Sequence, residues 1–257
     1  MIRRTLVWGA ALAALAFVAL PIVAIFARLS IGHLSSSLVT DAIVVSLKTT
    51  FAAQALVLAF GTPAAWVLAT HRFRGRSLVV TLVELPIVLP PAVAGIGLLA
   101  AFGRMGLLHT GLPFTQAAVV VAVAFVSGPL YVRQAIAAFE GVDETLVAAS
   151  RTLGAGPVKT FFRVVLPLAR GGLGAGEALS FARGLGEFGA TIMFAGSLQD
   201  VTQTLPLAVY QEFDVDFHLA LALGGLLVLV SAVLLVTLKW LASSSTSLFR
   251  FAPSTSS

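Results

Sequence analysis

Apolar residues run along this chain in long blocks, each separated from the next by a short polar connector. A bilayer core about 30 Å thick is crossed by roughly 20 residues of helix. Six blocks reach that length, over residues 5–27, 46–70, 78–102, 116–138, 166–196 and 217–241. Pro63 falls inside the second block. Pro86, Pro90 and Pro91 fall inside the third, which they are expected to kink or partly break. Membrane helices tolerate such residues where neighbouring helices satisfy the freed backbone groups. The pattern predicts an all-α integral membrane protein with six transmembrane helices.

Composition agrees. Of 257 residues, 58% are hydrophobic and 11% charged, against about 25% charged in soluble domains. Mean hydropathy is +1.01. One domain spans residues 1–257, with a core over 40–241, a first helix over 5–27 and a short Ser/Thr-rich tail over 242–257 that is expected to be disordered. No regulatory domain is expected after Leu241. The first block follows Arg3 and Arg4 as a signal peptide would, but its 23 apolar residues exceed the roughly 7–15 of a signal h-region. It reads as an uncleaved anchor.

Charge orients the chain. With six crossings and the N-terminus inside, the cytoplasmic side holds Arg3, Arg4, Arg72, Arg74, Arg76, Arg133, Arg151, Lys159, Arg163, Arg170, Lys239 and Arg250. The outer side holds Arg28, Lys48 and Arg104, and Arg183 lies within the fifth block. That asymmetry follows the positive-inside rule and places both termini in the cytoplasm. The last outer loop carries Asp200, Glu212, Asp214 and Asp216 with no Lys or Arg.

Candidate chemistry is sparse. There is no cysteine, and His33, His71, His109 and His218 are scattered, so no metal-ligand spacing arises. The dipeptide Gly-Lys is absent, which excludes a Walker A loop. Any ATP hydrolysis that drives this chain belongs to another subunit. Ionisable residues within membrane segments are costly and mark candidate sites. Glu84 lies in the third block, and Glu177, Arg183 and Glu187 lie in the fifth. Arg183 and Glu187 are four apart and can pair on one helix face. Gly184, Gly186 and Gly189 surround them, and glycines let helix backbones approach closely. The pair is read as a gate or as a packing salt bridge. Glu84 and Glu177, nearer the cytoplasmic ends, are read as snorkelling or capping residues.

The cytoplasmic stretch 140–167 is the second candidate. Asp143 to Leu153 is helix-prone, with acids in its first turn. Gly154-Ala155-Gly156-Pro157 breaks it, and Pro157 suits the first turn of a following short helix. Two short helices joined by a glycine turn are therefore expected, as an interfacial connector on the headgroups or as a docking surface for a cytoplasmic partner.

Within that stretch, Ala148-Ala149-Ser150, Gly154 and Val164-Val165-Leu166-Pro167 resemble the EAA motif of ABC importer permeases, E-A-A-x3-G-x9-I-x-L-P. Gly154, Leu166 and Pro167 fall at the motif spacing and Ala149 matches its central alanine. Ala148, Ser150 and Val164 stand where the family has Glu, Ala and Ile. Arg151 through Gly156 looks like the form found in oxyanion permeases. The run from Phe181 to Gly196, and Thr202-Gln203-Thr204-Leu205-Pro206-Leu207-Ala208, are similar to the molybdate branch. Sulfate permeases tend to have Tyr-Gly-Ser where this chain has Phe188-Gly189-Ala190.

The resemblance implies a type I ABC importer transmembrane domain for molybdate, with tungstate, sulfate or thiosulfate as alternatives. It implies two permease copies enclosing the pore, two cytoplasmic ATP-binding subunits and an extracytoplasmic substrate-binding protein. It also implies that this chain binds no cofactor, since ATP and magnesium are used by the partner. Ala148, Ala149, Ser150, Arg151, Gly154, Gly156, Leu166 and Pro167 would couple to the ATPase. Arg183, Gly184, Gly186, Glu187 and Gly189 would line the translocation gate. A secondary transporter, an intramembrane enzyme and a passive channel are the competing readings. The first would need repeated halves carrying acids, and none is evident.

Overall fold

The computed structural model describes residues 2–28 and 37–244, and every regular element among them is helical. In chain order they are α1 (Ile2–Ala27), α2 (Ser37–Thr70), α3 (Arg76–Val88), α4 (Pro91–Phe102), α5 (Gln116–Glu140), α6 (Glu144–Thr152) and α7 (Pro157–Thr160). A π-turn (Phe161–Val165) leads into α8 (Leu166–Leu185), followed by α9 (Gly189–Ala195), α10 (Leu205–Glu212) and α11 (Phe217–Ser244). The expected tail lies largely outside the described residues.

Four helices are long and apolar enough to cross a membrane: α1, α2, α5 and α11. They match the first, second, fourth and sixth blocks. α2 begins at Ser37, earlier than its apolar block, and its 34 residues reach roughly 51 Å at ~1.5 Å per residue.

The third and fifth blocks are not single straight helices. α3 and α4 meet at a bend of 116°. Leu89 precedes Pro90, and a residue before proline is driven out of the helical region. Leu89 is accordingly extended (φ −65°, ψ 134°), and Pro91 opens α4. The fifth block stops at Leu185 and resumes at Gly189. The expected continuous helix over 166–196 is thus α8 and α9 with a break between them.

α5 is the hub of the bundle, packing on α2, α8, α9 and α3. Small residues permit this. On α8, Gly172, Gly176, Ser180 and Gly184 recur every fourth position and share a face. A Cβ at Gly172 would lie 2.5 Å from Ala138 Cβ, and one at Gly176 would lie 2.8 Å from Gln134 Cβ. Membrane helices associate through such close approach, because lipid supplies no hydrophobic drive between them. One buried cluster (Ala94, Leu98, Val119, Val123, Phe194) joins α4, α5 and α9. Another (Leu68, Tyr131, Ile136, Phe139, Val165) joins α2, α5 and the π-turn.

Candidate functional site

On the α5–α8 connector, Asp143 caps α6: its Oδ1 accepts from the Thr145 amide at 2.8 Å and the Thr145 hydroxyl at 2.7 Å. Those two hydrogen bonds, the hydroxyl's foremost, hold the Asp143 carboxyl below its ordinary range. α6 buries none of its residues. Ala148, Ala149 and Arg151 are exposed, and Ser150 is half-buried. The Ser150 hydroxyl lies 3.1 Å from that of Thr160, which is buried and tethers α6 to α7.

The turn between the helices is built as its glycines suggest. Gly154 sits at φ +81° with open space around it, so backbone conformation and not crowding selects glycine there. Gly156 precedes Pro157, which opens α7. Leu166 and Pro167 start α8, one π-turn further on. A cavity of about 410 Å³ runs along this connector, lined by Leu146, Ala149, Ser150, Leu153, Lys159 and Arg163 among others. Its apolar floor and cationic rim sit beside Leu153, which is 87% exposed. Leu166 and Pro167 do not line it.

The connector is gripped from inside the bundle. Trp66 of α2 stacks edge-on against Phe139 of α5 and Phe161 of the π-turn, each with ring centroids 5.3 Å apart. Arg76 Nη2 reaches Glu140 Oε1 at 2.5 Å, and its Nε donates to Leu68 O at 2.6 Å. These contacts tie the ends of α2 and α5 to the start of α3, next to α6.

At the other candidate site, Arg183 Nη1 lies 2.6 Å from Glu187 Oε2. Glu187 does not continue the helix; it occupies the break, and its Oε1 accepts the Ala190 amide of α9 at 2.7 Å. One carboxylate therefore joins the end of α8 to the start of α9. Gly184 and Gly189 are sterically required. A Cβ at Gly184 would meet Val123 Cγ1 at 2.9 Å, and one at Gly189 would meet Pro91 Cβ at 2.7 Å. Gly186 closes α8 in ordinary negative-φ backbone, and its nearest atom to an added Cβ is 3.8 Å away.

Three polar residues were overlooked in the apolar blocks. Gln54 of α2 donates to Ser127 Oγ of α5 at 3.2 Å and accepts from Ser180 Oγ of α8 at 2.9 Å. All three are buried. The network binds the three central helices one turn below Gly184, whose missing side chain leaves room for the Gln54 amide. The only sequence signal was a lone Gln and two Ser in apolar runs.

Glu84, expected to snorkel or cap, is partly exposed and lies 3.5 Å from the exposed Arg133. Glu177 is half-buried, and its Oε2 is buried with no hydrogen-bond partner among the described residues. No cluster of three or more His, Cys, Asp or Glu able to hold a metal occurs among the described residues.

Residues 58–244 match the family described as binding-protein-dependent transport system inner membrane component. The molybdenum transport system permease protein ModB of Mycobacterium tuberculosis is 44% identical over 239 residues, covering 88% of this chain and 90% of that protein. A probable molybdenum ABC transporter permease protein of Haloferax volcanii is 42% identical over 205 residues, 77% of this chain and 72% of that one. Among solved structures, a bacterial ABC transporter that imports alginate aligns with a TM-score of 0.70 at 14% identity, over 94% of this chain and 96% of that one. The inward-facing methionine transporter MetNI aligns at 0.65 and 20% identity, over 81% and 96%. These two support the fold.

Proposed function

Because the chain belongs to the family of binding-protein-dependent transport system inner membrane components, we propose that it is the permease subunit of an ATP-driven importer of molybdate. The relatives named for molybdenum transport, which cover up to 88% of this chain, point to the cargo. The observation that carries the mechanism is α6, an exposed, Asp143-capped helix without a buried residue. A nine-residue helix is marginal alone, so its stable use implies a partner on its outer face.

In this reading the bent pair α3–α4 and the broken pair α8–α9 supply the third and fifth crossings. Both termini lie in the cytoplasm. Two copies enclose the pore, two ATP-binding subunits dock against the connectors, and a substrate-binding protein delivers the anion outside. This chain holds no nucleotide and performs no chemistry.

ATP-driven closure of the partner would push α6. The tether at Thr160 and the grip of Trp66 and Phe139 on Phe161 would pass that displacement to α2, α5 and α8. The gate at Arg183 and Glu187 would respond at the far end of α8. Each access state must bind the partner's state differently, since a partner shifts an equilibrium only by its differential affinity. The path must attract a dianion without holding it, because tight binding prevents release.

Reconstitution tests this. The chain, co-expressed with the ATP-binding subunit and substrate-binding protein of a molybdate importer, should give molybdate uptake that needs ATP and resists a proton uncoupler. Accessibility of a cysteine at position 154 from the outer side, or purification without an ATPase, would overturn the proposal.

A further inference from the structure

A second cavity, of about 740 Å³, lies at the far end of α4, lined by none of the residues assigned above. Ile96, Leu99, Ala100, Pro113 and Phe114 form its walls, and among the described residues Arg104 is the one charged side chain lining it. Arg104 is exposed. Phe114 holds its place at φ +63°, in the left-handed region, with its ring against Gly196, where an added Cβ would fall 3.0 Å from Phe114 Cδ1. Backbone strain of this kind in a bulky residue is found where a wall must be held for function.

The charge pattern gives this cavity a meaning. In the orientation proposed above, Asp200, Glu212, Asp214 and Asp216 make the segment 197–216 on the same side of the membrane repellent to an anion. Of the outer cations Arg28, Lys48 and Arg104, Arg104 is the one that lines this cleft with its low-dielectric walls among the described residues. Such clefts focus field lines and raise the local concentration of the opposite ion. A guanidinium also presents paired donors suited to tetrahedral oxyanions. One cation among apolar walls offers capture but too few donors to trap a dianion.

We propose that the α4-end cavity receives the oxyanion on the outer side and that Arg104 draws it in. This rests on the importer reading and on the orientation that places Arg104 outside.

The test uses the complete transporter with its binding protein in proteoliposomes, and molybdate as the probe. Arg104→Gln should raise the loaded binding protein needed for half-maximal uptake by about 3–10-fold at low ionic strength. High salt should shrink the deficit, and Arg104→Lys should restore most of it. Ala100→Phe, which fills the cavity without altering charge, should lower uptake at every salt concentration. A wild-type salt profile for Arg104→Gln would overturn the assignment. So would a deficit that follows the phosphatidylglycerol content of the vesicles, which would make Arg104 a lipid contact, or one matched by weaker docking of the empty binding protein. Absence of ATP-dependent uptake in the wild type is a separate result, and it would remove the importer reading itself.

Discussion

Arg183 and Glu187 are unequal partners: the arginine side chain is 35% exposed and the glutamate 1%. Removing one member of a buried pair strands the other, at about 3–5 kcal/mol where the survivor is fully desolvated. Arg183→Gln leaves a buried carboxylate, whereas Glu187→Gln leaves an arginine that can reach water. Arg183→Gln should therefore destabilise the protein more, with a lower unfolding temperature in detergent. If the pair also closes the gate, Glu187→Gln should change anion leak or basal ATPase activity. An unchanged leak and ATPase profile would reduce the pair to packing.

Gly154 stands at φ +81° with nothing crowding it. A side chain there meets backbone strain of about 1–2 kcal/mol but no collision. Gly154→Ala should insert normally and transport weakly. Gly154→Asp adds a carboxylate to the turn proposed to dock the ATPase and should abolish ATP-dependent uptake with membrane insertion intact. Retained uptake by Gly154→Asp would sink the docking role of this turn.

Glu177→Gln addresses the intramembrane acid that has no visible task. The side chain is half-buried and its Oε2 is buried with no hydrogen-bond partner among the described residues, and charge on such a group is costly. Gln keeps the shape and removes the possibility of charge. It should raise the unfolding temperature, by the equivalent of about 1–3 kcal/mol at the upper end, without loss of uptake. Lost uptake in a well-folded Glu177→Gln protein would instead assign the residue a transport role.

Apolar block length identified four spans directly, because a bilayer core admits little else. The break expected from the prolines of the third block is present, whereas the fifth block misled in continuity. Pro90 and Pro91 announced the break in the third, and the size of the bend, 116°, was not legible because it depends on α4 finding a seat against α9, which is a tertiary fact. The fifth block breaks where Glu187 turns aside to bind the Ala190 amide, and hydropathy averaged over a window cannot register one side chain capping the next helix. The two short helices of the α5–α8 connector were legible because glycine, proline and capping acids act locally. The Gln54 network was not, since its partners lie 73 and 126 residues away.

The pH response of α6 follows from Asp143. Its carboxyl titrates below the ordinary value of 3.8 because the Thr145 hydroxyl and amide bind the ionised form. A depressed folded value means the cap's contribution is complete above the unfolded value and is lost as pH falls through the folded one. Coupling should thus be insensitive to Asp143 between pH 5 and 8 (~1–4 units above that range). Asp143→Asn, which still offers an oxygen, should keep uptake, while Asp143→Ala should fray α6 and uncouple ATP hydrolysis from uptake. A neutral-pH loss in Asp143→Asn equal to that of Asp143→Ala would show that charge toward the ATPase, not capping, is what the residue supplies.

The seating of α8 against α5 can be tested by a compensating pair. A methyl at Gly184 would press on Val123 Cγ1 at 2.9 Å, the Gln54 amide nitrogen at 3.1 Å and Ser127 Oγ at 3.4 Å. Overpacking a close-packed site costs about 1–3 kcal/mol. Relief must come from the side chain that can be shortened, and Val123 is the nearest. Gly184→Ala alone should lower stability and uptake together, by tilting the end of α8 that carries Arg183. Adding Val123→Ala should recover part of both, whereas the same change on the wild type should only open a void. Gln54→Leu should cost a further amount on the order of 1–2 kcal/mol, the range for interhelical hydrogen bonds in membranes. Thermal unfolding of the four Gly184/Val123 combinations gives the coupling directly. Strict additivity would mean that α8 is seated by other contacts and that the small-residue row does not set the gate's position.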